Sequence, residues 1–273
     1  MPFGPTRGTL IPIGGKLSDD AILQRFIALA GGAAARIAVI PTASSEPDMG
    51  AWYSRAFARL GVARARAIQF DERCDCDDAD WLDELGTATG IFITGGDQLR
   101  LSSIMGGTPA HALIRERFAA GVHVAGTSAG AAVMSRHMIA RGDEGPSPRM
   151  GMVMLAAGFG LADGLVIDQH FRERDRMGRL LTAIALVPEC LGLGVDENTA
   201  AIIHPDDTLE VMGAGAVTIV DASRMGIVTI ADVHHGEPIT MTDVRVHLLA
   251  PGVTFDLARR TAHLAPLQLV DDE

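Results

Sequence analysis

The chain has 273 residues, 48% of them hydrophobic and 21% charged, with a formal net charge of −11. That size and apolar content exclude a disordered chain and leave room for a sizeable buried core. The acidic balance excludes a general nucleic-acid binder. No apolar run is long enough to span a bilayer, so no membrane association is expected. Met1-Pro2-Phe3-Gly4-Pro5-Thr6-Arg7 lacks the basic start and apolar core of a signal peptide.

Taken in order, the chain alternates. Residues 9–13 predict a strand with Gly14-Gly15 as its exit turn, and 19–30 carry helical apolar spacing at Ile22, Phe26, Ile27 and Leu29. A buried-type strand over 36–40 ends at Pro41-Thr42-Ala43-Ser44-Ser45, and a helix follows through Trp52, Phe57 and Leu60. Thr42, Ser44 and Ser45 suit capping of that helix better than a pocket wall. A weaker strand spans 63–70 and a short helix 80–85. Cys74-Asp75-Cys76 between them reads as a solvated acidic loop, since one C-x-C without a second pair is a poor metal signature. With Cys190 these make three cysteines without framework spacing, which predicts a reducing cytoplasm. A strand over 90–94 closes at Gly95-Gly96-Asp97-Gln98, and a helix over 109–119 leads to Val122-His123-Val124-Ala125.

Past that strand the texture changes. Residues 141–164, rich in glycine and methionine, read as a long loop, and such loops in compact domains usually serve function. A strand over 165–168 precedes Gln169-His170-Phe171, and 172–186 predict a helix bearing Arg172, Arg174, Arg176 and Arg179. On that helix Arg172, Arg176 and Arg179 share a face and Arg174 points elsewhere. Spacing alone favours a solvated face for this comb, partly neutralised by Glu173 and Asp175. From Leu191 onward short strands follow, at 191–195, 200–204, 208–212 and 217–220. Strands separated by helices predict an α/β fold with a mostly parallel sheet flanked by helices. The section from about 205 to 273 is β-rich and is expected to pack on the same core, giving one domain over 1–273.

Gly126-Thr127-Ser128-Ala129-Gly130 fits G-x-S-x-G, in which a sharp strand-to-helix turn exposes a serine hydroxyl. The bland alternative is a tight βα turn with a spectator serine. Against it, Gly14-Gly15, residues 42–45, Gly95–98 and Ser128 all fall at carboxyl ends of strands, where α/β sheets gather their functional groups. His170 is the best base because it too sits just past a strand. His111, His123, His137, His204, His234, His235 and His263 suit surface or structural places. The orienting acid is Asp168, Asp196 or Glu197. An order of serine, histidine, acid is not that of α/β-hydrolases, which run serine, acid, histidine.

Further segments carry a resemblance that spans nearly the whole chain. They are Gly95-Gly96-Asp97-Gln98, residues 126–131, Arg141-Gly142-Asp143-Glu144-Gly145 with Gly151-Met152, Asp168-Gln169-His170-Phe171, the comb over 172–180, and Gly194-Val195-Asp196-Glu197-Asn198-Thr199-Ala200. Together they resemble the cyanophycinase family, within the serine peptidases that also hold the α-aspartyl dipeptidases, with a fold like class I glutamine amidotransferases. The resemblance implies Ser128 as nucleophile, His170 as general base and Glu197 as the orienting acid. It implies an oxyanion hole from the Ala129 N–H and a backbone N–H of Gly96 or Asp97. Gln98, Asp168, Gln169, Arg174, Arg176 and Arg179 are the implied substrate-binding residues. The implied substrate is cyanophycin, a polyaspartate with an arginine on each side-chain carboxylate, cut to β-aspartyl-arginine units by a homodimer that needs no metal or organic cofactor. An aspartyl or isoaspartyl dipeptidase, or a non-catalytic binding protein of the same fold, are the other readings. One departure from the family pattern is Gly14-Gly15-Lys16-Leu17-Ser18-Asp19-Asp20, where Gly-Gly-Ala-Glu-Asp is expected.

Overall fold

The short apolar runs that stop at glycine or proline form strands, and the longer amphipathic stretches between them form helices. The computed structural model describes residues 6–264, so Met1 to Pro5 of the N-terminal stretch lie outside it. In chain order it runs β1 (Leu10–Ile13), α1 (Ala21–Leu29), β2 (Arg36–Ile40), α2 (Met49–Arg59), β3 (Arg64–Ala67), α3 (Ala79–Thr87), β4 (Gly90–Ile93), α4 (Gln98–Met105), α5 (Pro109–Ala119) and β5 (His123–Thr127). Then come α6 (Ala129–Ala132), β6 (His137–Gly142), β7 (Val153–Ala157), β8 (Leu165–Gln169), α7 (Met177–Leu186), β9 (Leu191–Val195) and β10 (Thr199–Ile203). The last strands are β11 (Thr208–Gly213), β12 (Val217–Asp221), β13 (Arg245–Leu249), β14 (Val253–Asp256) and β15 (Thr261–Leu264).

The helix-flanked half of the main sheet, β3-β2-β4-β5-β1, is parallel throughout. Every residue of β1 and β4 is buried, as expected of strands covered on both faces. One face packs Phe26, Tyr53, Phe57 and Phe92 beneath α1 and α2, with the Tyr53 and Phe92 rings 4.6 Å apart. The other face packs Ile93, Ile114, Phe118 and Ile167. Beyond β1 the same sheet continues antiparallel through β10, β11, β14 and β15. A second sheet, ordered β13-β12-β9-β8, brings the carboxyl ends of the parallel pair β8 and β9 towards those of β1 and β5.

Two expectations are corrected, and one helix is added. The stretch over 141–164 is loop over 143–152 and 158–164, but between them β7 forms and pairs with β6 as a hairpin, with an irregularity between Ile139 and Arg141. Its strands pair with each other alone, and β7 is the apolar run Val153 to Ala157, a strand signal set among glycines. The helix expected over 172–186 begins only at Met177. Asp175 takes φ 46°, its carbonyl accepts the Gly145 N–H at 2.7 Å, and Arg172 to Asp175 form a turn. The four comb arginines therefore share no helix face. Finally, α4 was not expected; Asp97 caps it by accepting the N–H groups of Leu99 and Arg100.

Candidate active site

Ser128 sits between β5 and α6 with φ 52° and ψ −112°, a strained conformation of the kind that functional sites hold. Two glycines make the turn possible. A Cβ on Gly126 would lie 2.4 Å from the Gly130 carbonyl oxygen, and one on Gly130 would lie 2.2 Å from that of Ile93. Only glycine tolerates such backbone approach. The Ser128 N–H donates to the Ile13 carbonyl at 2.9 Å, which ties the turn to the end of β1.

His170 follows β8 directly and also has positive φ, at 47°. Its N–H donates to the Gly14 carbonyl at 2.8 Å, so consecutive carbonyls of β1's exit hold the backbones of Ser128 and His170. The imidazole lies against Gly15, where φ is +113° and a Cβ would fall 2.2 Å from Cε1. His170 Nε2 is 3.0 Å from Ser128 Oγ, and Nδ1 is 2.8 Å from Glu197 Oε1. Of the three acids considered, Glu197 is thus the one touching the imidazole. Asp196 instead accepts the N–H groups of Arg172 and Ala216, and Asp168 pairs with Arg179. Glu197 Oε2 is 3.3 Å from Lys16 Nζ, and the Glu197 N–H donates to Glu173 Oε2 at 3.1 Å.

The electrostatics follow from these contacts. Burial pushes His170 below the ordinary histidine range; its bond to Glu197 opposes that, and the cations Arg174 and Arg176 add to the depression. Glu197 lies below the usual carboxylate range, chiefly through its bond to His170 and then through Lys16. At neutral pH the pair is therefore a neutral imidazole beside a carboxylate. Nδ1–H donates to Glu197, and the Nε2 lone pair faces the serine hydroxyl. A hydroxyl so placed is arranged for nucleophilic attack with the imidazole as base.

The remaining candidates divide by burial. Ala129 opens α6 directly after Ser128. The Asp97 N–H is committed to the Ala43 carbonyl at 2.8 Å, which leaves Gly96 of that pair as a possible oxyanion donor. Gln98 Nε2 donates to the Ile139 and Ala140 carbonyls at 3.1 and 2.9 Å, fixing β6 beside the site. Asp168 and Arg179 are 1% and 3% exposed and joined by a bidentate pair. Arg176, 5% exposed and lowered by burial to about 10, donates to the Gln169 carbonyl and to Gln169 Oε1, which lies 3.3 Å from Ser128 Oγ. Arg174 is exposed. Among the described residues no group of three His, Cys, Asp or Glu side chains is placed to hold a metal ion.

Two charged contributors, Lys16 and Glu173, were not expected at the site, and Gly15 was expected there only as part of a functional strand end. The Gly14-Gly15 pair at a strand's end was the one legible signal; the charged contacts join segments far apart in sequence. Ser44 and Ser45 line a cleft beside the Gly96 loop and do not cap α2, whose N-cap is Asp48.

Comparison with known proteins adds independent findings. A family model described as peptidase family S51 matches residues 11–211. The chain is 41% identical over 261 residues to a cyanophycinase from Trichormus variabilis, covering 94% of this chain and 88% of that one. It is 42% identical over 251 residues to a cyanophycinase from Geminocystis herdmanii, covering 90% and 92%. Among solved structures it is similar to a peptidase from an acI-B1 Actinobacterium, with TM-score 0.64, 21% identity, and coverage of 90% of this chain and 99% of that one. It is also similar to a putative peptidase E from Listeria monocytogenes, with TM-score 0.55, 17% identity, and coverage of 77% and 100%. At those identities the structural likeness concerns the α/β fold alone.

Proposed function

The chain belongs to peptidase family S51, and from that membership we infer that it is a serine exopeptidase that hydrolyses cyanophycin. The observation that carries the reading is the line of hydrogen bonds from Glu197 through His170 to Ser128, in a chain 40–42% identical to cyanophycinases over most of its length.

In the proposed mechanism His170 Nε2 takes the Ser128 proton as Oγ attacks the scissile carbonyl carbon. The new C–O bond pushes the carbonyl electron pair onto oxygen, where the N–H groups of Ala129 and Gly96 receive it. Collapse breaks the C–N bond, and the leaving nitrogen takes the proton back from Nε2. Water then repeats the sequence on the acyl-enzyme and frees Ser128. Glu197 holds Nδ1 protonated and stabilises the imidazolium without accepting its proton. Lys16, 3.3 Å away, favours the ionised carboxylate.

Each cyanophycin repeat offers one carboxylate and one guanidinium. Arg174, exposed and close enough to depress His170, is the comb member assigned to the substrate carboxylate. Arg176 and Arg179 are assigned as positioning residues that act through Gln169 and Asp168, and Gln98 as one that acts through β6. We read residues 1–273 as one domain, because β10, β11, β14 and β15 extend the sheet that begins at β3. Cys74, Cys76 and Cys190 are all free thiols, which supports a reducing cytoplasm. The homodimer implied by the family resemblance would have the exposed apolar residues of β13, Val246 and Leu248, as an available surface.

The test is incubation with insoluble cyanophycin and analysis of the soluble products. β-Aspartyl-arginine should accumulate with the wild-type chain and not with Ser128→Ala of the same fold. No product from the wild type, or undiminished product from Ser128→Ala, overturns the reading.

A further inference from the structure

A chain-end hydrolase must hold one end of its polymer at the nucleophile while the remaining repeats lie somewhere. Two hollows offer a place. The larger, about 970 Å³, opens at the carboxyl ends of β2, β3 and β4, and its wall includes Gly96, Asp97, Glu46, Asp71 and Arg100. The smaller, about 360 Å³, is lined by Glu46, Asp48, Met49, Trp52 and Tyr53. Glu46 belongs to both walls, so the hollows lie side by side.

The loop at the end of β4 connects this surface to Ser128. A Cβ on Gly95 would lie 3.8 Å from Ser128 Oγ, while Gly96, one residue on, packs against Ala43 on the cleft wall. One short turn thus has the serine on one side and the cleft on the other. The chemistry of the walls is as directed. Carboxylates outnumber cations, with Glu46, Asp48, Asp71 and Asp97 against Arg100 alone. Trp52 is 52% exposed, and its ring is fixed edge-on against Tyr53, with centroids 4.7 Å apart and planes at 85°. Carboxylates pair guanidinium groups, and an open indole face attracts them as well. Arg100 supplies the complementary cation for the carboxylate that each repeat also carries.

We propose that these adjoining hollows form an extended track that binds arginine-bearing repeats beyond the one being cleaved, with Glu46, Asp48 and Trp52 as its far end. The proposal rests on the reading of the chain as a cyanophycin hydrolase. Binding at a distance from Ser128 raises the effective concentration of the polymer end at the site, and so lowers KM for long substrates more than for short ones.

The test compares kcat/KM on cyanophycin with kcat/KM on a soluble two-repeat β-aspartyl-arginine substrate, for the wild type, Trp52→Ala, Glu46→Gln/Asp48→Asn and the triple variant. The polymer-to-short ratio should fall about tenfold in the triple variant, carried by KM, and by less in each parent. The loss from the carboxamide pair should shrink in high salt, because exposed charges are screened there. That pair alters charge without altering volume, so it reads the charged contribution even where Trp52→Ala disturbs the packing on Tyr53. A triple variant with the wild-type ratio overturns the track and leaves the functional reading standing. A wild type that leaves the polymer intact overturns the functional reading and the track with it.

Discussion

Residues 172–179 contain arginines of two kinds. Arg172 and Arg174 stand exposed on the turn before α7, whereas Arg176 and Arg179 are sealed beneath it against Gln169 and Asp168. The residue type is the same and the spacing is short, yet the work differs. A buried guanidinium is useful only while its carboxylate partner remains, and its loss strands a charge in a medium that solvates it poorly. An exposed one acts through its field, which water and salt weaken. The surroundings of the histidine divide in a similar way: Gly15 sets where the imidazole is, and Arg174, Arg176 and Lys16 set how readily it or its partner carries charge.

The largest effect expected from breaking this contrast is at the buried pair. Arg179→Met removes the bidentate partner of Asp168, leaving it only the longer contact to Arg176 at 3.5 Å and the Gln169 N–H, and should cost about 3 kcal/mol in chemical denaturation, while Arg172→Ala should stay within about 0.5 kcal/mol. Equal losses at the two positions would abolish the distinction. Next comes Gly15→Ala, whose Cβ would fall 2.2 Å from His170 Cε1 at a φ of +113°. Displacing the imidazole by an ångström should reduce kcat about a hundredfold; a kcat near wild type would show that the ring does not need that wall. The smallest effect is expected from Arg174→Gln. Activity requires neutral His170, so kcat/KM falls as pH drops through its pKa, which lies below the ordinary histidine range. Removing a cation that depresses that pKa moves the acid limb of the pH profile to higher pH, and high salt mutes the move. A limb that stays put or moves the other way would remove Arg174 from the electrostatics of the site.

Legibility in the sequence followed the range of the contacts involved. The turn at Ser128 could be read because its strain is relieved by Gly126 and Gly130, two residues away on either side. The βα alternation was readable for a similar reason, since each burial pattern is written in its own segment. The start of α7 was not, because a contact from Gly145 fixes the turn at Asp175. The β6–β7 hairpin was obscured by the glycines and prolines around it, although the apolar run Val153 to Ala157 is a local strand signal. The cap Asp97, by contrast, is a local signal that marked α4 and was passed over. Lys16 and Glu173 were beyond reach, for Lys16 meets Glu197 only once the two sheets are assembled and Glu173 only once β8 and β9 pair.

The fastening of Ser128 and His170 to the carbonyls of Ile13 and Gly14 has a mechanical consequence. The two residues end strands of different sheets, and sheets can shift against one another. Because both hang from adjoining peptide units of one strand, any slide of that strand carries them in step. The gap across which a proton must jump is then set by the spacing of neighbouring amides, a length that thermal motion of the larger body hardly alters.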